Sequence, residues 1–554
     1  MVISIAVKLY VSRGTTFSGD GMVLIVTSPD FDWQTALQPH GGHLLLNPRV
    51  LYVSLLELFG LSYLPYRILT ALAACLTVGL LFTWLIRRVP KWVALVPCLI
   101  LLFFGTDHLH MLQGNGITIC FSLAMGLLSL LMLERDDRRG DVIACVALVV
   151  GVATYSVALP FVAGAAVLVL LSRQWRRLWI PAVPLALYLA WVIWSRSQDF
   201  GASGGQADLS AAADFPRWVF EASGAAMYGL SGLSFGWSRG DTLDLIDLRA
   251  ALIATMTIAA VVLCVTKGRS TRVLWAVLSI GLAFWGLQVL VSDDVGRLPD
   301  DARYMYPGAV FCLLILGAAG QGFVWRKSAI IGLYLLGAIG LINNAALLAR
   351  NGDYYREQAR VYKANAGAVA IAAGVLVPRA GSVPQIEKSD LVNDPIAVIF
   401  LMADIPYGTF AATPEEMLEV PDRSRRAIDS GLVAGIGVKR TTAEGPVRGI
   451  CTPATADRTG SVAVDIAEGR TVIRSRDGLD ELLIGRFADT PSVPLGTLKP
   501  GEPALVTIPP DSADVSWKVG GVGAELEVCP QPASKKSWRR DSVTGPGESR
   551  SSRG

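Results

Sequence analysis

Long apolar runs separated by short basic segments fill residues 1–350, and a different rhythm takes over after them. The runs 62–86, 92–104, 117–133, 142–156, 158–171, 178–195, 248–266, 273–291, 304–321 and 329–349 each predict a transmembrane helix. Crossing a hydrocarbon core takes about 20 residues at 1.5 Å each. The stretch 142–171 is too long for one helix, and Tyr155, Ser156 and Pro160 at its middle divide it into a tight hairpin. With a helix before residue 13, the total is ten or eleven. Only MVISIAVKLYV is available there, about half a core in length. That first helix is therefore expected to be cut short, with its beginning encoded upstream of Met1.

Orientation follows from charge. Arg87, Arg88 and Lys91; Arg135, Arg138 and Arg139; Arg173, Arg176 and Arg177; Lys267, Arg269 and Arg272; and Arg326 and Lys327 fall in alternate loops. Basic residues gather in short cytoplasmic loops. Residues 13–61, 105–116, 196–247, 292–303 and everything after 350 are then expected on the outer face.

Beyond 350 the pattern shortens. Residues 351–375 read as an amphipathic connecting helix. Residues 376–530 hold brief alternating runs such as Ser461–Val464, Thr471–Ile473, Ala504–Ile508 and Glu525–Val528, punctuated by Gly, Pro and Asp. That rhythm predicts a mainly-β, sandwich-like external domain. Residues 531–554 are polar, lack apolar periodicity, and are expected to be disordered. The fold class is thus an α-helical polytopic membrane protein with a C-terminal extracytoplasmic β domain.

Composition narrows the function classes. Only 17% of the 554 residues are charged and the net charge is +3. No basic patch interleaved with aromatics points to nucleic acid. No CxxC or Cys/His spacing suggests a metal centre. Six of the eight cysteines lie in apolar runs. Cys451 and Cys529 are the two outside them, and in an oxidising compartment they are expected to pair. Two unrelated buried thiols are the alternative.

All four histidines, His40, His43, His108 and His110, fall in the first two outer loops, beside Asp20, Asp30, Asp32 and Asp107. A later outer loop brings Asp293, Asp294, Arg297, Asp300, Asp301, Arg303 and Tyr304 to the point where a helix re-enters the membrane. Each has a plain structural reading. Asp20 suits a turn in SGDG, and Asp30 can cap the stretch FDWQTALQ. His40 and His43 flank two glycines. Asp107 suits a short capped turn, and Arg303 with Tyr304 suits an interfacial anchor. Their shared side and depth are what favour a site.

Gly19-Asp20-Gly21, LQPHGGHLL (37–45), NPRVLYVSLLELFGLSYLPYRIL (47–69), LLFFGTDHLHMLQGNG (101–116) and DDARYMYPGAVF (300–311) together resemble the GT-C superfamily of membrane glycosyltransferases. The likeness is to actinobacterial multi-pass members with an external tail. Many members carry paired acids after the first helix, whereas here Asp20 is followed by Gly21. The resemblance implies a polyprenyl-phosphate sugar donor, a membrane lipid environment, and a glycan or other cell-envelope acceptor. It implies an inverting transfer in which Asp20 takes the proton of the acceptor hydroxyl. Asp107 is the second candidate catalytic carboxylate. Arg303, with Tyr304, would clamp the lipid phosphate, while His43, His40 and His108 would bind substrate. Two His and two Asp would also suit a divalent cation, which their spacing neither supports nor excludes.

Two other classes remain open. A transporter would place ionisable residues near the bilayer midplane and show repeats. Here Lys8 and Arg67 are nearly the only charges inside spans, and both lie near span ends. A non-enzymatic envelope scaffold would make Asp20 and Arg303 dispensable.

Overall fold

The computed structural model describes residues 1–28, 31–198, 210–233, 243–266, 271–290, 298–375, 410–443, 450–457, 460–511, 513–523 and 525–531. These fall into two compact units, one holding residues 1–360 with Phe410, the other the described residues from Val361 onward.

The first unit is helical. Its elements are α1 (Val2–Val11), α2 (Asp20–Val26), α3 (Trp33–Leu37), α4 (Leu46–Phe59), α5 (Leu64–Leu85), α6 (Lys91–Leu102), α7 (His108–Leu112), α8 (Ile117–Leu133), α9 (Arg138–Thr154) and α10 (Leu159–Leu171). They continue with α11 (Trp179–Ser197), α12 (Phe215–Gly229), α13 (Leu243–Thr266), α14 (Arg272–Val289), α15 (Ala302–Ala319) and α16 (Lys327–Val375). Six described segments are long and apolar enough to cross a membrane, so the chain is a multi-pass membrane protein. Every apolar run read from the sequence is helical here, including the two arms of the 142–171 hairpin, which break at Tyr155.

Three differences matter. Residues 329–349 and the connecting segment after them form one continuous helix, α16, because nothing between 345 and 356 breaks it: AALLARNGDYYR has no proline, and its one glycine is tolerated. The stretch 13–61 is built of three helices instead of open loop. In the expected loop 196–247, α12 packs Trp218, Ala222 and Ala226 into the bundle core against α13 and α15.

Lipid gives no hydrophobic drive between helices, so close packing of small residues carries the association. A side chain at Gly126 would stand 2.2 Å from Phe161, and one at Gly164 would stand 2.4 Å from Ile280. These contacts join α8 to α10 and α10 to α14, with Phe161, Phe284 and Phe311 stacked edge-on between them.

The second unit contains α17 (Pro414–Leu418), α18 (Asp422–Ile436) and nine strands in two antiparallel sheets. The first sheet comprises β1 (Lys439–Thr442), β7 (Ala504–Ile508), β4 (Gly469–Arg474), β9 (Glu525–Pro530) and β2 (Thr452–Thr455), in that order. The second comprises β3 (Ser461–Ile466), β8 (Trp517–Val522), β5 (Leu483–Gly485) and β6 (Val493–Pro494). Alternate residues from both sheets, Val462, Ile473, Ile484, Val506, Trp517 and Val528 among them, enter one core. This is the expected β domain with one addition. Ile428, Leu432 and Ile436 of α18 fill the same core at helical spacing. Asp429, fully buried on α18, accepts hydrogen bonds from the backbone N–H groups of Arg486, Phe487 and Ala488. Cys451 and Cys529 are joined by a disulfide. The tail, apart from Gln531, lies outside the described residues.

Candidate active site

Asp20 opens α2. Gly19 before it adopts φ +51°, a left-handed value that favours glycine, and this abrupt turn starts the helix at the carboxylate. Asp20 occupies the first turn, where a negative charge suits the helix dipole. Its side chain is 66% exposed, open at its tip yet set among protein atoms.

His40, Gly41, Gly42 and His43 form a two-residue reverse turn. The backbones of His40 and His43 exchange both hydrogen bonds, at 3.0 and 2.9 Å, and both glycines take positive φ. Glycine at both central positions is what such a turn requires. The turn fixes the spacing of the two imidazoles. His40 places Nε2 2.9 Å from Oδ1 of Asp20. His43 shares a 2.8 Å hydrogen bond between Nδ1 and the Ser156 hydroxyl, and its ring lies 4.3 Å from that of Tyr155.

Arg303 arrives from α15. Asp301 caps that helix, accepting from the Arg303 backbone N–H, and its other oxygen pairs with Arg303 Nε at 2.8 Å. The Arg303 side chain is 47% exposed, with Tyr304 and Tyr155 in electrostatic reach. The charges meet at Asp20. Burial pushes its carboxyl up, but the hydrogen bond from His40 and the charges of His40, His43 and Arg303 hold it below the ordinary carboxylate value. His40, His43 and Arg303 thus lie within electrostatic reach of Asp20, and Tyr155 and Ser156 adjoin His43. Tyr304 packs edge-on to Phe284, 6.4 Å away, beside this group.

Asp107 is placed differently from Asp20. It is fully buried and both oxygens are engaged. Oδ1 accepts from the His110 N–H, capping α7, while Oδ2 accepts from the Tyr306 N–H at 3.2 Å and lies 2.8 Å from His110 Nδ1. One side chain thus caps α7 and ties it to the second turn of α15. His108 places its Nδ1 2.6 Å from the Tyr355 hydroxyl. Burial holds its imidazole below the ordinary value, against the pull of Asp107 and Asp301.

A cation cage does not assemble from these residues. Among the described residues, the one group of three His, Cys, Asp or Glu side chains that converges is Cys451, Glu527 and Cys529, and its cysteines are bonded to each other. Asp30, Asp293, Asp294 and Arg297 lie outside the described residues. Asp32 performs the capping expected of Asp30, accepting from the Thr35 N–H at 2.7 Å.

Sequence reading missed Arg49 and Tyr52 on α4, and gave Tyr155 and Ser156 only a turn. For Arg49 a signal existed. It stands in an apolar stretch without Asp or Glu three or four residues away, on the face where basic residues are otherwise sparse.

No family model matches the chain, and no curated protein matches it in sequence. Among solved structures it is similar to ArnT from Cupriavidus metallidurans bound to undecaprenyl phosphate, at 13% identity, over 72% of this chain and 83% of that one, with a TM-score of 0.44. A likeness of that size decides nothing about chemistry.

Proposed function

We propose that this chain is a membrane glycosyltransferase acting at the outer face, moving a sugar from a polyprenyl-phosphate donor to a cell-envelope acceptor with inversion. The observation that carries the reading is an exposed carboxylate, Asp20, held by His40 and kept ionised by three neighbouring cationic or ionisable groups. A base must be unprotonated and reachable to accept a proton, and Asp20 is both.

In this mechanism the acceptor hydroxyl attacks the anomeric carbon and passes its proton to Asp20. The bond from that carbon to the phosphate oxygen breaks, and its electron pair stays on the lipid phosphate. Arg303, fixed through Asp301, offers its remaining N–H groups to that developing charge. His40 orients the base, while His43, Tyr155 and Ser156 form the wall where an acceptor sugar would hydrogen-bond. Asp107 positions α15, and therefore Arg303, without touching substrate. The basic loops at the other ends of the helices favour an outward placement of this site and of the β domain.

The test is Asp20→Asn in the full chain, reconstituted in liposomes with a panel of polyprenyl-phosphate sugars and an envelope extract. Release of free polyprenyl phosphate is the readout, since it does not depend on which sugar is correct. The substitution keeps the shape and removes the base, so release should fall at least a hundredfold while the protein stays folded. Wild-type release from this variant would remove Asp20 from the mechanism.

A further inference from the structure

Arg49, in the first turn of α4, is only 5% exposed. Among the described residues its side chain makes one hydrogen bond, from Nη2 to the Gln38 carbonyl at 3.3 Å, and its Nε has no partner. Three other deeply placed arginines have an acidic partner. Arg88 pairs with Glu134, Arg177 with Asp141, and Arg486 with Asp511. Around Arg49 no charged group among the described residues offsets the loss of water. An uncompensated buried guanidinium is costly, and proteins seldom keep one without a use.

A second orphan lies beside it. Tyr52, three residues along and so on the same face of α4, is fully buried with a hydroxyl that has no partner among the described residues. That hydroxyl would stand 3.4 Å from a Cβ at Gly21, the neighbour of Asp20. The flanking residues lead to the same place. Gln38, which receives Arg49, is two positions before His40, and Asn47 donates to the Thr154 hydroxyl next to Tyr155. Two donors lacking acceptors, on one helix face beside the Asp20 turn, match a ligand that brings acceptor oxygens and negative charge.

We infer that Arg49, with Tyr52 beside it, is an oxyanion-binding pair of this site and that its ligand is a phosphate group. The choice of phosphate rests on the transferase reading; the need for an anion does not. The division of labour with Arg303 follows from their surroundings. Arg303 already shares its charge with Asp301 and is half exposed, whereas Arg49 is buried and has no acidic partner among the described residues. Binding therefore concentrates on Arg49, and Arg303 is left to answer charge that develops during transfer.

The test uses the full chain in lipid nanodiscs with three probes: a polyprenyl monophosphate, the matching polyprenol without phosphate, and inorganic phosphate. A phosphate-bearing probe should raise the melting temperature of the wild type, and the polyprenol should not. A response to the lipid alone identifies a lipid-borne phosphate, and a response to inorganic phosphate a soluble one. Arg49→Gln should weaken that binding about tenfold to a hundredfold, since it removes a charge-assisted contact. Arg49→Lys should restore it in part, and Tyr52→Phe should weaken it less. Without probe, Arg49→Gln should melt no lower than the wild type, because a neutral amide replaces an uncompensated charge. Wild-type affinity in Arg49→Gln, a clear drop in its probe-free melting temperature, or no phosphate binding by the wild type would each overturn the inference. Asp20→Asn separates the two readings. If that variant still transfers sugar, the base assignment fails while the Arg49 result stands on its own.

Discussion

Removing the Cys451–Cys529 disulfide should destabilise the β unit by an amount that its topology sets. The bond closes a loop of 78 residues, for which the chain-entropy relation gives about 4.5 kcal/mol at 25 °C. It also fastens a weak element. Cys451 directly precedes β2, an edge strand of four residues, mostly exposed, paired on one side only to β9, which carries Cys529. Little else holds β2 in place. The perturbation is a Cys451→Ala/Cys529→Ala variant of the full chain, alongside reduced wild-type protein. Cys529 is fully buried, so the reduced wild type separates the lost cross-link from any small cavity. Hydrogen exchange read by mass spectrometry over β4, β7 and β8 reports opening of this unit alone. A loss of about 4.5 kcal/mol speeds exchange of the core amides of Val472, Ile473 and Val506 about a thousandfold or more, at one decade per 1.4 kcal/mol. Acceleration under about fivefold in both samples would refute the reasoning. It would mean that the unfolded segment is already restrained, or that opening leaves β2 and β9 together.

Two further predictions concern the site. His40→Gln removes the hydrogen bond and charge that hold the Asp20 carboxyl down, so its pKa rises and the acid limb of the transfer rate, measured against pH, moves to higher pH. The same sign governs stability: the Asp20–His40 contact stabilises above the ordinary carboxylate pKa and is lost as pH falls through the lowered one; an unmoved acid limb would deny His40 this role. Asp107→Ala strands the His110 ring and the His110 and Tyr306 amides, and should cost about 3–5 kcal/mol of stability, read as a lower melting temperature of the helical unit. Loss of transfer without loss of stability would instead return Asp107 to the chemistry.

The legible part of this protein was the part that lipid imposes. Ten apolar runs became helices because a bilayer leaves the backbone few other options, and Ala504–Ile508 is a strand over the residues that alternation marked. The capping role of Asp107 was also visible, since it rests on a contact three residues away. What escaped was set by distance along the chain or by competing period. His43 meets Ser156 across 113 residues and Asp20 meets His40 across 20, and no local pattern encodes either. The helix α18 was hidden because its apolar positions lie inside a segment dominated by strand-like alternation. The run through 350 was read as two helices because polarity changed there, although helicity did not. Arg49 was passed over because its importance lies in a missing partner, which only packing reveals.

One carboxylate, Asp107, caps α7 and accepts from the second turn of α15, the helix whose first turn carries Arg303. The two helix starts consequently cannot drift apart without losing an acceptor in a dry environment. In the proposed transfer, Arg303 would thus be aimed before any ligand arrives, and so would the carboxylate that His40 steadies. In the language of electron transfer, the proposed reaction would then meet a small reorganisation energy, because its dipoles stand in place beforehand.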